Sequence, residues 1–189
     1  DALAEQSLWE GMEATAIAWD APTGSLVAGF ADGSLRIGKL TFQIRFLDET
    51  ELPTDLPNVA PGELVVHDQG VLERTTSQQW RFQSVEASLG EPRKFASAPI
   101  TALELLGASG STESGASGPV IAAGQADGVI LVASTKVNAL TDELRLSEPV
   151  TLPQTPTAVP LRLLLTAGGD NLWAAYADGT VIRWNIAES

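Results

Sequence analysis

Cysteine is absent from this 189-residue chain, which excludes structural disulfides and thiolate metal sites. Histidine occurs once, at His67. Any metal would therefore rest largely on oxygen ligands, a donor set that disfavours zinc and transition-metal catalysis. A Ser-His-Asp relay would have to be built on His67, which stands beside Asp68 between two short apolar runs, where a turn or surface role is the simpler reading. There is no G-x-S-x-G elbow. Ser109 and Ser117 lie near glycines, but in a low-complexity stretch. No P-loop, G-x-G-x-x-G or EF-hand spacing occurs. Basic residues are also few, 11 against 24 acidic ones, for a net charge of −13. That balance disfavours nucleic acid, which demands clustered Lys and Arg, and anionic membrane surfaces. No apolar run approaches the ~20 residues of a membrane-spanning helix, and the polar opening DALAEQ does not read as a secretory leader. Zero cysteine suits both cytosolic proteins and bacterial envelope proteins that do without disulfides.

What is present is a phrase written three times. Residues 26–38 read LVAGFADGSLRIG, 121–133 read IAAGQADGVILVA and 172–184 read LWAAYADGTVIRW. Each is an apolar run, then Ala-Asp-Gly, then a second apolar run alternating with polar or small residues. Asp-Gly between two such runs is a hairpin signal. Gly33, Gly128 and Gly179 supply the positive φ of the turn, and Asp32, Asp127 and Asp178 are expected to bond backbone amides inside it. These six residues are therefore read as structural turn formers. Asp32 and Asp127 are 95 positions apart, and Asp127 and Asp178 are 51 apart. A degenerate copy is expected between the first two, and LVVHDQGVLERTT at 64–76 fits. The expected organisation is one domain of four units, roughly 13–50, 51–98, 99–152 and 153–189, with 1–12 as a lead-in or closing strand.

Within this frame, TFQIRFL at 41–47 alternates as a half-exposed outer strand, and the proline-rich 48–62 reads as a surface loop. Residues 107–119 (GASGSTESGASGP) are a low-complexity insertion between strands. Residues 144–152 suggest another outer strand, and the proline-rich 151–160 a linker. Acid pairs such as Asp48-Glu49 and Asp142-Glu143 fall in polar connections as solvated charges. Trp19, Trp173 and Trp184 sit in repeat strands and are expected to pack between units. Trp80 stands among glutamines beside Arg81, and the pair forms the candidate interaction surface, since aromatic and arginine side chains are enriched at binding hot spots.

The stretches AIAWDAPTGSLVAGFADGSLRIGKL (16–40) and LLLTAGGDNLWAAYADGTVIRWNI (163–186) resemble WD40-type units, without the Gly-His signature and with Arg183-Trp184-Asn185 where Trp-Asp usually stands. The fold class expected is all-β, a WD40-like propeller of about four blades or a fragment of a larger one. The combined pattern resembles the WD40-like extracytoplasmic domain of some bacterial phosphate-type ABC transporter permeases. The matching stretches are GFADGSLRIGKLTFQIRFLDE (29–49), GELVVHDQGVLERT (62–75), QQWRFQSVEA (78–87) and AYADGTVIRWNI (175–186). That resemblance implies a non-catalytic interaction or regulatory domain in the periplasm. It would be tethered to a membrane-spanning parent, hold no cofactor and have transporter components as partners. Open strand edges would also invite homo-oligomers. The alternatives are a free-standing cytoplasmic WD40-type scaffold and, less favoured by this residue inventory, a propeller enzyme such as a lyase or a quinone-dependent dehydrogenase.

These readings are separable on purified protein. Elemental analysis and a visible absorption spectrum are expected to show neither a metal nor a quinone at stoichiometric level. One equivalent of either would restore the enzyme reading.

Overall fold

A computed structural model describes residues 13–54, 56, 58–67, 70–106, 117–137, 144–166 and 169–186. Among them there is no α-helix, only a 3-10 turn at Glu49–Glu51 and fifteen strands in antiparallel sheets. The chain divides into two compact units, one comprising Leu40–Ser88 and the other the remaining described residues.

The larger unit is built on a triplet that occurs three times. β1 (Ala14–Asp20), β2 (Ser25–Phe30) and the first half of β3 (Ser34–Leu47) make the first copy. β8 (Ile100–Leu106), β9 (Ser117–Gln125) and β10 (Ile130–Val137) make the second. β13 (Pro160–Leu165), β14 (Asn171–Tyr176) and β15 (Val181–Asn185) make the third. The two-residue β7 (Arg93–Lys94) pairs on β3, while β11 (Leu144–Leu146) and β12 (Val150–Thr151) both pair on β10. The copies agree in detail. Each first strand carries a register irregularity at the same place, between Ala14 and Ala16, Ile100 and Ala102, and Pro160 and Arg162.

The repeated turn explains why these runs fold back on themselves. In each copy the glycine N–H donates to the carbonyl three residues earlier, Gly33 to Phe30, Gly128 to Gln125 and Gly179 to Tyr176, each at 3.0 Å. The glycines have φ of +80, +92 and +86. A turn closed by a left-handed residue is the three-residue hairpin loop that matches strand twist. The aspartate oxygen accepts the amide two residues on, from Ser34 (2.9 Å), Val129 (3.2 Å) and Thr180 (2.9 Å).

The three sheets pack in succession, β1 against β8 and β8 against β13. One core lies between the first and second sheets, with Val27, Leu35, Ile100, Leu103, Ile121 and Leu131 among its members. Another lies between the second and third, with Ala122, Ile130, Leu163, Leu165, Leu172 and Trp184. Two devices recur at these junctions. Thr15 donates its hydroxyl to the Ile100 carbonyl (2.6 Å), and the equivalent Thr101 donates to that of Pro160 (3.0 Å). Gly29 and Gly124, paired with Ala16 and Ala102, leave room for the neighbouring strand. A methyl at Gly29 would sit 2.7 Å from Ile100 Cγ2, and one at Gly124 would sit 2.5 Å from Pro160 Cγ.

Between β3 and β7 the chain makes the smaller unit. Its sheet order is the outer half of β3, then β6 (Trp80–Leu89), β5 (Gly70–Arg74) and β4 (Leu64–His67). The segment read from sequence as a second repeat therefore differs from the other three. Its strands continue in hydrogen-bonded order from β3 instead of forming a sheet of their own, and they lack the Ala-Asp-Gly turn. Asp68 and Gln69, the lead-in at 1–12 and the low-complexity residues 107–116 lie outside the described residues.

Overpacking a filled junction costs typically about 1–3 kcal/mol. Gly29→Ala and Gly124→Ala are expected to lower stability by that amount in urea denaturation. The reverse change at the matching third-sheet position, Ala175→Gly, should cost no more than about 1 kcal/mol. Equal effects at all three would overturn the account of these glycines as spacers.

Candidate functional site

The first strands of the three repeats, β1, β8 and β13, surround a cleft of about 380 Å3. Its lining includes Ile17, Trp19, Thr101, Glu104, Leu161 and Arg162. Consecutive residues of each strand line it, at different depths. Ile17 and Trp19 are each 53% exposed, whereas Leu103 and Leu105, their counterparts on β8, also line the cleft but are mostly buried in the core. Burial pushes the Glu104 carboxyl above its ordinary value, opposed by the Leu165 backbone and by the positive charge of Arg162. The cleft thus offers an indole, aliphatic surface, one carboxyl and one guanidinium, and its lining pairs no nucleophile with a base. Among the described residues no cluster of three or more His, Asp or Glu could hold a metal ion.

A second candidate surface lies on the smaller unit. In the four-stranded sheet of the smaller unit, the pairs Val71↔Gln83, Glu73↔Arg81, Leu64↔Glu73 and Val66↔Val71 place their members on one face. Gln43 bonds Glu86 (3.4 Å) and Arg45 covers the Phe82 ring (5.3 Å to its centroid), so these four share the opposite face. The first face therefore carries Phe42, Ile44, Phe46, Leu64, Val66 and Val85, all between 42% and 63% exposed. Near its middle, Arg81 pairs with Glu73, which also accepts from Gln83 (3.4 Å). The opposite face buries Leu72. There Arg74 lies over the Trp80 ring (6.0 Å) and donates to the carbonyl of Val59 (3.3 Å), a buried residue of the 48–62 loop.

Trp80 and Arg81, the pair singled out from sequence, therefore point to opposite faces. Arg81 belongs to the exposed apolar face, and Trp80 is half-buried on the other. The residues that make up the exposed face were visible as alternation in TFQIRFL, but alternation does not say which side is covered. The tryptophans of the repeat strands also divide. Trp184 is buried and donates to the Pro153 carbonyl (2.9 Å), whereas Trp19 and Trp173 are 53% and 40% exposed rather than packed between sheets. His67 ends β4 opposite Gly70. The aspartates of the three turns are occupied by turn amides, as the sequence suggested.

Sequence reading also missed Gln125. It stands where the other copies have Phe30 and Tyr176, and it is buried. Its side-chain oxygen accepts from the amides of Ser97 and Ala98 (both 2.9 Å) and from the Ser97 hydroxyl (3.2 Å). This tethers the connector that leads into the second sheet. The matching Thr-Ala at 15–16 and 101–102 was a legible signal for the threonine contacts, but no signal marked Gln125.

No protein-family model matches the chain, and no curated protein matches it. Among the described residues no helix is long and apolar enough to cross a membrane.

Two measurements follow from the titrating groups. Tyr176 is the chain's single tyrosine, its hydroxyl is buried without a hydrogen-bond partner, and burial, with the Asp178 charge, pushes its pKa up to about 12. Phenolate absorbance therefore reads this residue alone, and a midpoint near 10 would contradict its burial. A raised folded pKa means that the stability Tyr176 contributes is whole below pH 10 and falls as pH climbs toward about 12. The Asp32 carboxyl is held below its ordinary 3.8, chiefly by the Ser34 hydroxyl, and that of Asp178 chiefly by the Thr180 amide. Their contribution is whole above that value and is lost as pH falls through the lowered one. Asp32→Asn and Asp178→Asn are expected to flatten the stability curve below about pH 4. An unchanged acid limb would show that the turn carboxylates are not coupled to folding.

Proposed function

We propose that this chain is a non-catalytic interaction and regulatory domain of a bacterial phosphate-type ABC permease, held on the periplasmic side of the inner membrane, with a transporter component as its partner. The observation that carries the interaction reading is the exposed face of the smaller unit. Six large apolar side chains gather on one sheet face around a single ion pair, and apolar patches beyond those of ordinary surfaces mark interaction sites. The cleft adds weight, because its lining is suited to contact rather than to bond-making. The assignment to a permease rests on the sequence resemblance.

The finer fold reading, a propeller, is part of the same proposal. Sheets that pack face to face in chain order, each entered by its innermost strand, follow propeller construction. On this reading the three triplets are blades.

The test uses the full parent protein in its native membrane, with a photo-cross-linking amino acid at Ile44. The expected product is an adduct with another component of the same transport system. Adducts confined to proteins unconnected with transport would overturn the proposal. Buried anchors at interfaces are each worth about 2 kcal/mol or more. Phe42→Glu with Phe46→Glu should therefore weaken the isolated interaction more than tenfold, with the circular dichroism spectrum unchanged. Undiminished binding would remove this face from the reading.

A further inference from the structure

Each repeated sheet has a side that meets the preceding sheet and a side that meets the following one. On the following side, Val27 and Leu35 of the first sheet are 0% and 1% exposed, and their counterparts Ala122 and Ile130 of the second are both 0% exposed. The same positions in the third sheet are Trp173 and Val181, at 40% and 60%, joined by Leu164 at 58%. On the preceding side, Leu103 and Leu105 of β8 and Leu163 and Leu165 of β13 are buried, whereas the matching Ile17 and Trp19 of β1 are not. The chain thus makes one kind of junction twice; at one end of the stack the following side of the third sheet is open, and at the other β1 is open while Leu26 and Ala28 beside it are buried.

The two open halves match in size. Where the incoming strand begins with a bulky residue, Ile100 or Pro160, the receiving position is glycine, Gly29 or Gly124. The third receiving position is Ala175, and the residue of β1 in register with Ile100 and Pro160 is Ala14. The volume lost from the incoming side is regained on the receiving side, as volume-conserving packing requires. Likewise a methyl on Gly33 or Gly128 would run into carbonyls of the chain leading to the next sheet, while Gly179 has nothing within 4 Å.

We infer that the following side of the third sheet docks the first sheet of a second copy of this chain, repeating head to tail the junction that the chain makes internally. Leu26, Ala28 and Phe30 are already buried, so the second copy offers β1. Ile17 and Trp19 meet Leu164 and the surface around Trp173. A contact between unlike faces either closes into a ring or continues as a chain of copies. Each copy has a net charge of −13. Self-repulsion opposes the contact, and added salt strengthens it.

Sedimentation velocity on the 189-residue chain at micromolar concentrations tests this. Reversible association that increases with salt is expected. Leu164→Glu and Ile17→Glu change exposed side chains, so each variant should keep the parent's circular dichroism spectrum while losing self-association. Each retains one intact half-junction, so mixing the two at equal concentration should restore a dimer. A parent chain that stays monomeric at all concentrations and salts overturns the inference. So does an Ile17→Glu variant that still dimerises by itself, because that outcome means like faces meet. Failure of the mixture to dimerise overturns it as well. None of these outcomes bears on the exposed face of the smaller unit, so the two proposals fail independently.

Discussion

Three sheets can stack in this chain because Gly29 and Gly124 have no side chain where the next strand arrives. The approach is close enough that a single methyl would meet Ile100 or Pro160 at less than contact distance. That closeness is what puts Val27, Ala122, Ile121 and Ile130 wholly out of water. Each such apolar side chain larger than alanine contributes about 1.5–3 kcal/mol when fully buried. It also brings Thr15 and Thr101 within reach of the next strand's carbonyl, adding a junction hydrogen bond worth about 1 kcal/mol each. The turn geometry and the register irregularity then follow the same pattern in every copy, because each sheet must present the same surface to its neighbour.

Thr15, Thr101 and Gln125 at these junctions follow the rule that buried hydrogen-bonding groups find partners. Gln125 is the fullest case. Its oxygen takes three donors from Ser97 and Ala98, in a place where Phe30 and Tyr176 fill space instead. The repeat therefore tolerates a polar or an apolar residue at one position, provided the surroundings are changed to suit. Tyr176 shows the limit of that tolerance, since its buried hydroxyl has no partner and its ionisation is suppressed as a result.

The same alternation produces two opposite surfaces. In the second of the stacked sheets, apolar residues of both strand faces go inward, because it has a sheet on either side. In the smaller unit, loop residue Val59 and the face of Leu72 supply one covered side, and Phe42, Ile44 and Phe46 remain on the other. A sheet covered on one side and apolar on both has hydrophobic free energy still to gain from a partner. That physical surplus is available to a partner surface.

The sequence by itself determined the local structure. Ala-Asp-Gly fixes a left-handed glycine and an amide-accepting carboxylate in three residues, so the turns at 31–33, 126–128 and 177–179 were legible, as were the strands on either side of them and the all-β class. The net charge of −13 likewise disfavoured nucleic acid and anionic membranes as partners without coordinates. Only the tertiary structure decided which side of each strand is covered. Alternation in TFQIRFL is identical whether the phenylalanines point to a core or to solvent, and Trp19, Trp173 and Trp184 occupy similar strands with unlike neighbours. It also decided that 64–94 continues from β3 and that Gly29 and Gly124 face an incoming strand while Ala175 does not. A residue's period along the chain is a local property, whereas its burial depends on segments tens of residues away.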